Sequence, residues 1–161
     1  MTGIERLLPA LVSGGVDFIV IGGVAGNLHG SARVTSDLDV VYDRGIQNLE
    51  RITKALAPFG PYLRGAPPGL PFRLDPDTLS HGLNFTLRTE HGDIDLLGEV
   101  VGGGGYRDLL PHSVEVEAVG LRFRCVSLPK LIQLKRAAGR PRDFDAIAEL
   151  EVILEEQQRT E

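Results

Sequence analysis

The sequence predicts an α/β (α+β) domain, a mixed β-sheet with helices mainly on one face, and three observations carry that prediction. Short β-branched runs, VDFIVI at Val16 to Ile21 and DLDVVY at Asp37 to Tyr42, alternate with stretches of helical periodicity, the order of elements expected of an α/β chain. Two further segments, Leu83 to Thr89 and Asp93 to Leu97, meet at Glu90-His91-Gly92 and read as a hairpin. The chain has 161 residues, 42% hydrophobic and 24% charged, which suits a single folded domain over 1–161 and not a disordered one.

Each element has a local reason. Ile4, Leu7, Leu8 and Leu11 recur at helical spacing, so residues 2–13 read as an amphipathic helix ended by Gly14-Gly15. Val16 to Ile21 is nearly all apolar, the pattern of a strand buried on both faces. Gly22-Gly23 closes it, and Val24 to His29 forms a short helix stopped by Gly30. Asp37 to Tyr42 is the second strand. Gly45 to Phe59 carries the stripe Ile46, Leu49, Ile52 and Leu56, with Gly60-Pro61 as its stop. Residues 60–82 are rich in proline and glycine without a period, and read as a long surface loop or insertion.

Beyond the 83–97 hairpin lies a glycine-rich connection, Gly102 to Gly105, followed by a turn of helix. Val114 to Val126 is a second hairpin turning at Val119-Gly120. Ser127 and Pro129 start a helix that runs to about Ala138, with Gly139 as its cap. Asp143 caps a last helix, with Phe144, Ile147, Leu150 and Ile153/Leu154 turned inward.

Bulk properties exclude several classes. A net charge of −5 argues against a protein that coats nucleic acid nonspecifically. The single cysteine, Cys125, excludes an internal disulfide and a cysteine-rich zinc site, and fits a reducing cytoplasm. The N-terminal residues lack a signal-peptide core, and no uncharged apolar run approaches the roughly 20 residues that span a bilayer. The charge is unevenly placed: Ala118 to Arg142 holds seven basic residues and no acid, whereas residues 143–161 hold seven acids and one base. The basic stretch is either a set of solvated faces or a positive wall able to hold a polyanion.

The chemistry sits in three short segments. Side chains alternate faces along a strand, so Asp37 and Asp39 project together with Leu38 opposite. Two adjacent carboxylates repel, and one must take up a proton unless a cation lies between them. Asp-x-Asp on a strand therefore points to a hard divalent cation, Mg²⁺ being the common choice and Mn²⁺ its close substitute. Asp93 and Asp95 repeat the device. One of them, placed beside the first pair, makes three carboxylates, a set suited to metal-assisted phosphoryl displacement. Asp93 borders the Gly92 turn, which favours Asp95 as the third. Gly22-Gly23 marks a strand meeting a helix N-terminus, where free N–H groups favour an anion and a Cβ would hold a phosphate away. The stretch is neither a dinucleotide fingerprint, since position 24 is valine, nor a Walker loop, since no Gly-Lys-Ser/Thr follows.

Ile21-Gly22-Gly23, Asp37-Leu38-Asp39 and Ile94-Asp95-Leu96 together resemble the signature of the nucleotidyltransferase superfamily of polymerase-β-type fold. The wider texture, "GGVAGNLHGSARVTSDLD", "GDIDLL" and "VSLPKLIQLKRAAGRPRDFDAIAELE", is similar to the stand-alone bacterial and archaeal members, including the abortive-infection toxins of toxin–antitoxin pairs and the minimal nucleotidyltransferases. The resemblance spans roughly residues 15–155. It implies that Gly22 and Gly23 hold nucleotide phosphates, and that Asp37 and Asp39 bind the catalytic Mg²⁺. Asp95 would complete the metal site and help deprotonate an acceptor hydroxyl, Lys135 would face the triphosphate, and Asp143 would position that segment. Arg33 is either a nucleotide or acceptor contact or a solvated loop residue; His29 reads as a helix-end residue.

The implied reaction moves a nucleoside monophosphate from an NTP to a hydroxyl of an RNA (tRNA-like) or protein acceptor, with an aminoglycoside as a third choice. An antitoxin or second subunit is an implied protein partner. Two rivals stand beside this reading. One is an inactive nucleotide-binding module acting with a protein partner, against which the intact acids argue, because buried acids without a metal cost stability. The other is a metal-dependent glycosyltransferase, which leaves Gly22-Gly23 and Asp95 without a purpose.

Overall fold

The structure, a computed structural model, describes residues 4–160. The strands are β1 (Phe18–Ile21), β2 (Asp37–Tyr42), β3 (Tyr62–Leu63), β4 (Asn84–Thr89), β5 (Gly92–Leu97), β6 (Ser113–Ala118) and β7 (Leu121–Val126). The helices are α1 (Ile4–Ser13), α2 (Gly22–Leu28), α3 (Ile46–Leu56), α4 (Pro76–His81), α5 (Tyr106–Leu109), α6 (Leu128–Ala138) and α7 (Pro141–Arg159). Residues 2 and 3, expected to open the first helix, lie outside the described residues. The strands form one mixed sheet in the order β3-β4-β5-β2-β1-β7-β6. β1 runs antiparallel to β2 and parallel to β7, while β2 runs parallel to β5.

Alternation sets what each face holds. Leu38 and Val40 on β2 are 0% and 1% exposed, and they point opposite to Asp37 and Asp39. On β4 the same rule buries Phe85, Leu87 and Thr89 and exposes Asn84, Thr86 and Arg88. One face of this half of the sheet is thus packed core, and the other presents the acids. Helices α1, α3 and α4 pack in series, and α1 also meets β2 and β7. A second group, α2, α6 and α7, packs together and helps form the walls around the acidic end. No helix among the described residues is long and apolar enough to cross a membrane.

Two expectations need correction. Residues 60–82 contain β3 and α4, so they are not structureless. β3 extends the sheet through Tyr62↔Arg88 and Leu63↔Leu87. Asp75 caps α4 by accepting from the Thr78 amide at 2.7 Å, and Leu79 is fully buried. Elements of two and six residues are too short to show a period, which is why the sequence conceals them. The last helix starts at Pro141 with Arg140 as its N-cap, which places Asp143 at the third helical position and not at the cap. Its buried stripe is Asp143, Ala146, Ile147 and Leu150. Phe144 falls about 100° off that stripe and is 59% exposed, not inward.

A buried asparagine fixes the β1–β2 register. Asn48 on α3 is 3% exposed; its Oδ1 accepts from the Asp17 amide at 2.7 Å, and its Nδ2 donates to the carbonyls of Asp17 (3.0 Å) and Asp43 (2.7 Å). The clamp ties the start of β1 to the end of β2, and that pairing brings Ile21 opposite Asp39. Asn48→Ala takes this partner from the Asp17 amide and the Asp43 carbonyl, while the Asp17 carbonyl keeps the Asp43 amide at 3.1 Å, so we expect a loss of about 2 kcal/mol in urea unfolding. A loss below about 0.5 kcal/mol would show that water replaces the clamp.

Candidate active site

β2 and β5 run parallel in a register that sets Asp37 beside Asp93 and Asp39 beside Asp95. Ile21, the last residue of β1, lies opposite Asp39 on the other side. The chain then turns into α2 at Gly22, whose φ is +69°. A Cβ at Gly22 would stand 2.2 Å from Asp39 Oδ2, and one at Gly23 would stand 2.7 Å from Thr35 Oγ1. The two glycines are therefore required by the packing of Asp39 and Thr35, whatever else the site holds.

Of the residues that the sequence singled out, Gly22, Gly23, Arg33, Asp37, Asp39, Asp95, Lys135 and Asp143 line one cavity of about 330 Å³, and Asp93 and His29 do not. The helix group supplies its far wall. Lys135 comes from α6 and is half-buried; burial lowers its pKa, and the Asp143 and Asp39 charges push back. Asp143 is buried and receives Arg140 Nε at 2.8 Å and the Arg140 amide at 3.2 Å on Oδ2. Burial opposes its ionisation, yet these bonds and the Arg140 charge hold its carboxyl below the usual range. Arg140 has no acceptor, so the return half of this cap is the bond from the Asp143 amide to the Arg140 carbonyl, 2.9 Å. The Arg33 loop is tied to α7 through Glu149, which accepts from Ser31 Oγ (2.5 Å) and the Ala32 amide (3.3 Å). His29 caps α2 and its Nε2 lies 2.7 Å from the Val126 carbonyl, away from the carboxylates in role.

Asp39 is the electrostatic centre. Burial, a hydrogen bond shared with Asp95, and the Asp95 and Asp37 charges push its pKa up to about 7, with Arg64 pulling the other way. Its Oδ1 is buried with no hydrogen-bond partner. A carboxylate oxygen left in that state is a strong cost unless a proton or a cation meets it.

Arg64, immediately after β3, was not anticipated from the sequence. Its Nη2 donates to Asp95 Oδ1 at 2.8 Å and to the Leu87 carbonyl at 3.0 Å. Its Nε sits 3.1 Å from Asp93 Oδ2, an ion pair whose angle does not make a hydrogen bond. Strand pairing places it there: the Arg64 amide donates to Thr86, and Thr86 is the partner of Asp95. Among the described residues no group of three or more His, Cys, Asp or Glu is gathered closely enough to hold a metal. Asp95 is divided between Asp39 and Arg64. The donor set still fits a hard cation, because the oxygens of Asp37, Asp39 and Asp95 face one cavity and Asp39 Oδ1 is orphaned. We expect Arg64→Met to tighten Mn²⁺ binding about 5-fold in calorimetric titration, since a competing charge leaves Asp95. Weaker binding in the variant would instead make Arg64 a residue that aims Asp95.

The basic stretch does not form a continuous positive wall. Arg122 pairs with Glu117, Arg124 bonds Ser113, Lys130 bonds Gly102 and Gln133, Arg136 pairs with Glu151, and Arg140 pairs with Asp143. Of the seven, Lys135, Arg140 and Arg142 reach the cavity.

Three solved structures resemble this one over nearly their whole lengths. A candidate nucleotidyltransferase from Thermotoga maritima, TM1012, has a TM-score of 0.57 at 14% identity, covering 91% of this chain and 88% of that one. The lincosamide antibiotic adenylyltransferase LnuA, solved with lincomycin bound, has a TM-score of 0.62 at 16% identity, covering 94% and 96%. The chain has the nucleotidyltransferase fold. The antibiotic-resistance factor ANT(2'')-Ia shares the nucleotidyltransferase fold with it at a TM-score of 0.52 and 16% identity, over 98% and 90% of the two chains. No protein-family model and no curated protein matches the chain. At such low identity the likeness is one of fold, so the function rests on the site's own chemistry.

Proposed function

We propose that the chain is a nucleotidyltransferase that moves a nucleoside monophosphate from a nucleoside triphosphate to an acceptor hydroxyl with Mg²⁺ or Mn²⁺. The observation that carries this reading is Asp39: a buried acid with an unpartnered oxygen, in register with Asp95 and packed against Gly22. Such a group costs stability in isolation and is explained by a bound cation. The fold shared with the structures above supports the same reaction class.

Asp37, Asp39 and Asp95 would hold the metal, which supplies charge neutralisation at the phosphates when bound. Gly22 and Gly23 leave room for a phosphate at the β1–α2 junction. Arg33 and Lys135 line the same cavity and would offset the triphosphate charge. Asp143 holds Arg140 at the wall and so positions that segment. The acceptor hydroxyl would give its proton to Asp95 as it attacks the α-phosphorus, with pyrophosphate leaving. Here the protein acts mainly by positioning and fixed charge. The acceptors that the sequence resemblance implies are a tRNA-like or protein hydroxyl, with an antitoxin-type partner, and, as a third choice, a small molecule such as an aminoglycoside.

The test is label transfer from each of the four α-labelled NTPs, with Mg²⁺, to total RNA, to a protein extract and to a small-metabolite extract. Label transferred by the wild type and lost in Asp39→Asn supports the proposal and names the acceptor class. Mg·NTP binding without transfer to any arm would favour the nucleotide-binding module instead.

A further inference from the structure

A second cavity, of about 390 Å³, adjoins the first and shares Gly22, Asp39, Asp95, Lys135 and Arg140 with it. The two extend from that point in different directions. The first runs towards Asp37 and α7, the second past the end of β5 towards Leu97 and Val100. Away from the shared carboxylates, the second cavity is walled by Leu97, Val100 and Val101 on one side and Leu131, Leu134 and Ala138 on the other. The last three recur at i, i+3 and i+7, a single face of α6. Leu131 and Leu134 are 1% and 7% exposed and form a firm floor, whereas Val101, at 70%, stands at the rim.

The wall after β5 is built before any ligand arrives. The Gly103 and Gly104 amides donate to the Val100 carbonyl, the Val100 amide donates to Gly104, and Lys130 Nζ donates to Gly102. An apolar, largely preformed hollow of this size with a few polar groups at one end is the usual form of a small-molecule site. A polynucleotide site would instead need free cations along a backbone track. Among the described residues, the only charged group lining this cavity beyond the shared ones is Glu99, and the shared Arg140 is held by Asp143.

We propose that this second cavity is the acceptor site, and that it takes a small, hydroxyl-bearing molecule with an apolar body, neutral or cationic, and not a polynucleotide. The proposal rests on the nucleotidyl-transfer reading. In the step it serves, the acceptor oxygen bonds to the α-phosphorus and the bond from that phosphorus to the bridging oxygen breaks. The electron pair leaves with pyrophosphate, and the hydroxyl proton passes to Asp95 and then to solvent.

The probe is hexyl β-D-glucoside, which joins a sugar alcohol to a short apolar chain. It is titrated by ligand-observed NMR into the full chain with Mg²⁺ and α,β-methylene-ATP. We expect saturable binding, weakened at least 10-fold in Val101→Asp and in Ala138→Trp. Both substitutions are at exposed positions, so folding is not the target. A 12-nucleotide single-stranded RNA should not displace the probe. Displacement by the RNA, equal binding in both variants, or no saturable binding would overturn the acceptor site. The nucleotide analogue is followed separately by thermal shift. Its failure to shift the wild type would overturn nucleotidyl transfer, and the acceptor role with it, whereas a normal shift without probe binding sinks the acceptor site alone.

Discussion

Asp39→Asn should abolish nucleotidyl transfer and, in the same molecule, stabilise the metal-free protein increasingly as the pH rises from 4 to 7. The two effects have one cause. In an unfolded chain the Asp39 carboxyl titrates at 3.8, whereas burial and the neighbouring Asp95 and Asp37 charges push it up to about 7 in the fold. Below pH 4 the group is protonated in both states and costs the fold nothing. Between 4 and 7 the unfolded chain loses the proton while the fold retains it, so stability drains away as pH rises. Above 7 both states are ionised and the penalty is constant. The full interval corresponds to about 4 kcal/mol, and partial solvent contact reduces this to roughly 2 kcal/mol.

The comparison must be wild type against variant, because Asp75, Asp143 and Glu149 are shifted downward and act with the opposite sign. Urea unfolding in the presence of a chelator should give a difference near zero at pH 4, growing to about 2 kcal/mol at pH 7.5. Saturating Mn²⁺ should narrow that gap, since a cation favours the ionised carboxylate. Transfer should fall at least about 1,000-fold, on the scale of losing a principal electrostatic group. A difference that stays flat with pH would mean that Asp39 is ionised at no cost, and the physical basis for a cation there would be gone.

What the sequence disclosed follows from how each group is placed. Asp37, Asp39 and Asp95 were visible because paired acids alternate with apolar residues inside otherwise apolar strands, and the parallel pairing of β2 and β5 then sets them side by side. Gly22-Gly23 was visible as punctuation between strand and helix, although the closest reason for Gly22 is the Asp39 carboxylate and not a ligand. Arg64 was hidden. It follows a strand of two residues, and its position beside Asp95 depends on β3 pairing with β4 and β4 with β5, two registers that no local pattern announces. Asn48 was hidden for the same reason: a polar residue in a helical stripe does not reveal that it closes two strand ends. The basic stretch misled because charge was counted along the chain. Strand pairing and helix packing then set three of the seven, Arg122, Arg136 and Arg140, against Glu117, Glu151 and Asp143.

Gly22→Ala should be nearly as damaging to transfer as losing Asp39, although it removes no functional group. Two costs coincide at this position. The backbone is left-handed at φ +69°, which a residue with a Cβ adopts at a cost of about 1–2 kcal/mol. The new methyl would also lie 2.2 Å from Asp39 Oδ2 and 3.0 Å from its Cγ, so the carboxylate must rotate or the β1–α2 junction must open. Either response moves the group on which both cavities converge. We expect transfer to fall at least about 100-fold, as small misplacements at a reacting centre do, and stability to fall by about 2–3 kcal/mol. Gly23→Ala isolates the steric cost: its φ is not left-handed, and the new methyl would meet Thr35 alone, at 2.7 Å from Oγ1 and 2.9 Å from Cβ. The decisive measurement is a double-mutant cycle with Asp39→Ala, read as unfolding free energy. If the clash is the cause, truncating Asp39 relieves most of it, leaving only the Cβ contact at 3.2 Å, and Gly22→Ala costs about 1–2 kcal/mol less in that background than in the wild type. Additive costs would place the damage in the backbone turn alone, and Gly22 would then be a residue of the fold and not of the site.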